Sequence, residues 1–103
     1  MANISVVGRI VSDDIELKIS ANNRPYLRFE LAERTGKGAY ARTQYYQVVA
    51  FGAIASQFAK RGLCRGALIS VEGVLELEDY LKRDGWTRDK RLKVIALRWR
   101  YLQ

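Results

Sequence analysis

Alternation with a period of two recurs in five segments of this chain, and a helical period appears once. The segments are Ile4–Val11, Tyr26–Ala32, Thr43–Phe51, Ala67–Tyr80 and Arg91–Leu102. In a strand, successive side chains point to opposite faces, so this pattern predicts sheets with one face against a core. Ile4, Val6, Gly8 and Ile10 share one face of the first segment, and Leu27, Phe29 and Leu31 one face of the second. The third, rich in aromatic and β-branched residues, has Tyr45, Gln47, Val49 and Phe51 on one side and Tyr46, Val48 and Ala50 on the other. In the fourth, Ile69, Val71, Gly73, Leu75 and Leu77 align, and in the fifth Ile95, Leu97, Trp99 and Tyr101.

The punctuation is equally legible. Glu16 to Ser20 extends the first strand past a kink at Asp13-Asp14, and Asn22-Asn23 with Pro25 marks a turn. Gly36 and Gly38 make 35–41 a mobile, basic loop, and Gly52 ends the third strand. Ala53–Arg61 is the one helix, with Ile54 and Phe58 four apart and Gly62 placed to cap its end. Asp84-Gly85 is a hairpin-turn dipeptide. Gly8, inside a strand pattern, marks a bend or a close backbone approach. The expected fold is mainly β: a five-stranded OB-fold barrel with one short helix between strands 3 and 4, a plan that binds oligonucleotides or oligosaccharides on one face. Residues 1–103 are expected to form a single nucleic-acid-binding domain.

Charge narrows the ligand. Eighteen basic and eleven acidic side chains give a net charge of +7. Residues 82–103 alone carry eight bases and two acids, and 34–42 hold Arg34, Lys37 and Arg42 with no acid. Such concentration suits a polyanion, although a solvated basic face has the same composition. There is no histidine, and the one cysteine, Cys64, has no histidine to activate it and too few companions for a zinc site. Neither an enzyme, a metal nor a cofactor is expected. Glu72, Glu76 and Glu78 alternate along one strand face, which suits a solvated face or ion pairs better than a cation site. No apolar run approaches a membrane span, and a single cysteine suits a reducing, cytoplasmic setting.

Several motifs, taken in order, resemble the bacterial single-stranded DNA-binding protein family: Val7-Gly8-Arg9-Ile10, Phe29-Glu30-Leu31-Ala32, Val48-Val49-Ala50-Phe51-Gly52 leading to Lys60-Arg61-Gly62, Val71-Glu72-Gly73 with Leu75, and Asp84-Gly85. The resemblance implies bases stacking on aromatics of the third strand and of the last hairpin. By position these are Tyr45, Phe51 and Tyr80. Trp86, at the hairpin tip, is a further candidate, and Arg28, Arg34, Lys37, Arg42, Lys82, Arg83 and Arg88 are placed to neutralise phosphates. Tyr45 and Phe51 share a face, an arrangement equally at home in a core, and Trp99 suits a core or a subunit interface. Where the family usually has a tryptophan this chain has Tyr45, and Tyr40 is the nearest counterpart of another usual aromatic. The acidic C-terminal tail common in the family does not follow Leu102-Gln103 in this sequence, as expected either of a binder without that hub role or of the core domain alone.

The resemblance therefore implies sequence-independent binding of single-stranded DNA in replication, recombination or repair, with RNA open as a second ligand and no small-molecule substrate or membrane partner. It also implies homo-oligomers through the first strand and the Tyr46 region, a tetramer favoured over a dimer. The alternative is an accessory module resembling primosomal replication protein N, which mainly bridges replication proteins and tends to be a dimer.

Overall fold

The computed structural model describes residues 2–103. Its elements are β1 (Ala2–Ile10), β2 (Lys18–Ile19), β3 (Pro25–Thr35), β4 (Arg42–Phe51), α1 (Gly52–Arg61), β5 (Leu68–Leu81) and β6 (Arg88–Tyr101), with one 3-10 turn at Gly38–Tyr40. The strand order is β1-β5-β6-β4-β3, and β1 returns to pair with β3, closing a ring of five. All pairings in the ring are antiparallel except β4 with β6. With α1 between the third and fourth strands of the ring, this is the expected OB plan.

Closure demands sharp curvature, and two glycines permit it. A Cβ on Gly8 would lie 2.5 Å from the carbonyl oxygen of Ala32, and one on Gly73 would lie 2.0 Å from that of Ile95. No larger residue fits where strands approach so closely. The inward set is apolar: Val6, Ile10, Leu27, Phe29, Leu31, Val48, Ala50, Ile69, Val71 and Val94 are all buried. α1 plugs one end of the ring. Its Phe58 meets Phe29 edge-on at 5.2 Å and stacks on Trp99 at 4.4 Å. The Gly62 N–H donates to the carbonyls of Phe58 and Ala59, ending the helix where the sequence indicated.

Four expectations need correcting. Glu16 to Ser20 does not extend β1. Only Lys18 and Ile19 are extended, and they pair with Tyr26 and Pro25 of β3. The turn at Ser20–Arg24, where the Asn23 N–H donates to the Ser20 carbonyl, folds this segment back onto the following strand instead. Pro25 accordingly begins a strand rather than ending a turn. In β6 the predicted face Ile95, Leu97, Trp99, Tyr101 is split by a bulge: Glu72 pairs with Arg98 and Gly73 with Ala96, leaving Leu97 over. One extra residue reverses which parity points inward. Val94 and Ala96 are buried before the bulge, while Ile95 lies on the outer face; after it, Trp99 packs on the core. Leu77, predicted inward, is 65% exposed because β5 and β6 continue past the ring as a two-stranded arm with no second layer to cover it. On the same inner parity of β4 as Val48, Tyr46 is 7% exposed in the single chain, and its hydroxyl donates to Glu33. Burial, with help from Glu33, raises its pKa above the usual phenol value.

Candidate nucleic-acid interface

Register and parity define one outer face. Tyr26 lies opposite Phe51, Arg28 opposite Val49, Glu30 opposite Gln47, Ala32 opposite Tyr45 and Arg34 opposite Thr43. Their neighbours along each strand turn into the barrel, so these side chains turn out. β6 extends the face with Lys93 beside Gln47 and Ile95 beside Val49. β5 extends it further with Glu76 opposite Lys93 and Glu78 opposite Arg91.

The aromatic candidates fall on this face or beyond it. Tyr45 is 51% exposed. With Tyr80, Gln47 and Arg91 it lines a shallow hollow of about 270 Å³. Tyr80 is half-buried because the Arg91 guanidinium lies 4.7 Å from its ring centre. Phe51 is likewise half-buried, with the Arg24 guanidinium 5.3 Å from its ring. Both rings thus carry a guanidinium at cation–π distance. Trp86 is 79% exposed in the turn that follows Leu81, beyond the last paired residues of the arm. That turn is tied by Asp84, whose carboxylate accepts from the Trp86 N–H at 3.0 Å, the Thr87 N–H at 2.8 Å and the Thr87 hydroxyl. These bonds, the Thr87 hydroxyl foremost, hold the Asp84 carboxyl below its ordinary pKa.

The cations divide by what they already touch. Arg34, Lys37 and Arg42 cluster around the β3–β4 connection, and Arg83 and Arg88 flank the arm's turn. All five are exposed and have no ion pair among the described residues. Lys82 lies 3.6 Å from Asp89. Arg28 is bound to Glu78, which also takes Arg91 at 2.7 Å and Lys93 at 3.5 Å. The three glutamates therefore act as ion-pair partners, with Glu72 on Arg98 and Glu76 near Lys93. Desolvation pushes Glu78 up, but the hydrogen bonds and charges of Arg91 and Arg28 outweigh it and hold its carboxyl below the ordinary value.

The structure thus sets Tyr45 and Tyr80 around one hollow and Arg28 and Phe51 further along the same face, with Arg34, Lys37 and Arg42 around the β3–β4 connection, Lys82, Arg83 and Arg88 on the arm, and Trp86 in its turn. Tyr40 is 87% exposed on the 3-10 turn. Sequence reasoning missed Tyr26, which shares parity with Arg28 and so was within reach of the strand pattern. It missed Arg24, Arg91 and Lys93 as partners of this face. Their roles follow from the strand pairings across the ring, which single-strand patterns do not specify.

A closed five-stranded ring with one aromatic, cation-rimmed outer face defines a small OB-fold protein of the nucleic-acid-binding class. The model of the single-strand binding protein family matches residues 1–102, and the chain belongs to that family. Single-stranded DNA binding comes with that membership. Among solved structures, the chain is similar to the small single-stranded DNA-binding protein from Streptomyces coelicolor, with a TM-score of 0.81 at 21% identity, covering 97% of this chain and 93% of that one. At that identity the likeness speaks for the fold. Comparison with curated protein sequences returned no match. No helix among the described residues is long and apolar enough to cross a membrane.

Proposed function

We propose that this chain, acting as one OB unit over residues 1–103, holds single-stranded DNA on the outer face of β3, β4 and the β5–β6 arm, without regard to sequence. The observation that carries the reading is the alternation of β4: Tyr46, Val48 and Ala50 fill the core, while Tyr45 and Phe51 point outward beside Tyr26 and Tyr80. Rings accept any base, because every base has a π-face, and each stacked base contributes about 1–3 kcal/mol. Arg34, Lys37, Arg42, Arg83 and Arg88 take phosphates, which makes binding strongly salt-dependent. Trp86 and Lys82 extend the path along the arm. The processes served are those that expose unpaired strands: replication, recombination and repair.

An open strand edge supports self-association. Ala2 to Arg9 pair with β5, but only Arg9 and Ile10 pair with β3, so most of β1 has one free side. Val7 is 49% exposed and Leu97 58%, apolar surface that a second copy would cover. We read this as the contact of a homo-oligomer, a tetramer in preference to a dimer, working in the cytoplasm. Sedimentation equilibrium checks it. A dimer with weak DNA affinity would favour the accessory module similar to primosomal replication protein N.

The direct test is fluorescence anisotropy with labelled oligo(dT), oligo(rU) and a matched duplex over a range of salt. Tight oligo(dT) binding, weak duplex binding and a log–log salt slope of about −0.7 per phosphate contacted are expected. Equal affinity for duplex and single strand would refute the reading. The oligo(rU) arm decides whether RNA is a second ligand.

A further inference from the structure

The outer face is not open along its whole length. Val49 points to the outside of β4, yet is only 5% exposed. Beside it on β3 stands Arg28. The Arg28 side chain reaches Glu78 on β5, although β4 and β6 lie between those two strands in the ring. The bridge therefore runs across the face over its middle, between Phe51 and Tyr26 on one side and the Tyr45–Tyr80 hollow on the other.

The same carboxylate gathers two more cations. Glu78 Oε1 accepts from Arg91 Nε at 2.7 Å, and Oε2 lies 3.5 Å from Lys93 Nζ. Three cations from two strands converge on one anion, the geometry in which a phosphate would be held. Arg91, fixed from this side, covers the ring of Tyr80.

From this geometry we infer that Glu78 is an internal stand-in for a phosphate: it holds Arg28, Arg91 and Lys93 closed over the face in the free protein, and nucleic acid binds by displacing it. The inference rests on the proposed reading of this face as the single-stranded DNA site. The carboxylate stores the cations in position and at the same time competes with the ligand for them. Displacement frees Arg91 from Tyr80, so opening the bridge uncovers the ring and links phosphate capture to base stacking. Affinity is thereby held below what the same cations would give unopposed, which favours rapid release of the strand.

The test is Glu78→Gln, which keeps the shape and removes the charge, compared with Glu72→Gln. Glu72, on another part of β5, pairs with Arg98 of β6, and its substitution changes net charge equally. Oligo(dT) affinity of E78Q is expected to rise about five- to tenfold, with a salt slope steeper by about 0.7. E72Q is expected to stay within about twofold of the wild type. A second measurement needs no variant to bind: the Arg91 Nε–H signal of the wild type, followed by NMR, moves on adding oligo(dT) towards its position in free E78Q. Folded E78Q binding no tighter than wild type, or an Arg91 signal that oligo(dT) leaves in place, overturns this inference alone. Failure of the wild type to bind oligo(dT) overturns the reading of the face and this inference with it.

Discussion

The ring and the arm are built from the same two strands, β5 and β6, yet they are held by different forces. Inside the ring, Ile69, Val71, Val94 and Ala96 are buried on every side. Past the ring, the strands keep their pairing to Leu81 and Arg88, but Leu77 and Leu81 stand 65% and 55% exposed. There the hold comes from strand hydrogen bonds, the Glu78 cluster and the Asp84 turn. A closed apolar core contributes stability in proportion to buried area, whereas exposed ion pairs contribute about 0–1 kcal/mol each. The contrast assigns stability to the ring, and the proposed function puts ligand contact on the arm and the outer face.

If that division is right, the largest effects fall in the ring and are seen in stability. Gly73→Val places side-chain atoms against the Ile95 carbonyl, where even a Cβ would sit at 2.0 Å. It is expected to cost more than about 4 kcal/mol, read as loss of the cooperative urea transition. A fully stable variant would show that the β5–β6 bulge is not required for closure. Phe58→Ala removes the plug between Phe29 and Trp99 and is expected to cost about 3–5 kcal/mol in denaturant melts. Its affinity per folded molecule should stay unchanged.

On the outer face the order reverses. Tyr45→Ala should lose about 1–3 kcal/mol of oligo(dT) affinity. Its melting transition should move by no more than about 0.5 kcal/mol, since the ring is half in solvent. A large stability loss with intact binding would place Tyr45 with the core instead. Arg88→Ala should weaken binding to all sequences alike and lower the magnitude of the salt slope by about 0.7, measured by the same anisotropy titrations. The smallest effect is that of pH on the arm. The folded-state pKa of Glu78 is depressed, so its contribution is fully present above the ordinary glutamate value of about 4.3 and is lost as pH falls through the lower folded value. Hydrogen exchange of β5–β6 amides past Leu77 should accelerate over that window, while amides of Val71 and Val94 in the ring hardly respond.

The same division explains what was legible in the sequence. Ring strands have one wet and one dry face, so Val6–Ile10 and Leu27–Leu31 announced their parity directly. The glycines at 8 and 73 fell on the dry faces, where their role is close approach. In the arm both faces are wet, and Leu77 carried a core signal that no partner answers. The bulge at Leu97 is specified by the fit of β6 against Gly73, a contact between segments over twenty residues apart, so a pattern read along one strand does not show it. On the candidate face, the exposed positions of Tyr45 and of the loop and arm cations were within reach of the family resemblance, and Tyr26 of parity. The fact that Arg28 is already engaged by Glu78 depends on four strands meeting across the face, and no local spacing encodes it.

The two tryptophans fall on opposite sides of this division. Trp99 stacks on Phe58 with its indole nitrogen buried and lacking a hydrogen-bond partner among the described residues, whereas Trp86 stands in solvent at the arm's tip. The protein therefore carries two optical reporters that do not duplicate each other. Emission from Trp99 is expected to be blue-shifted and to follow the integrity of the fold, and under the proposed function quenching of the exposed Trp86 is expected to follow occupation of the arm. With Trp86→Phe and Trp99→Phe as single-reporter variants, unfolding and ligand loading can be timed separately in one stopped-flow experiment.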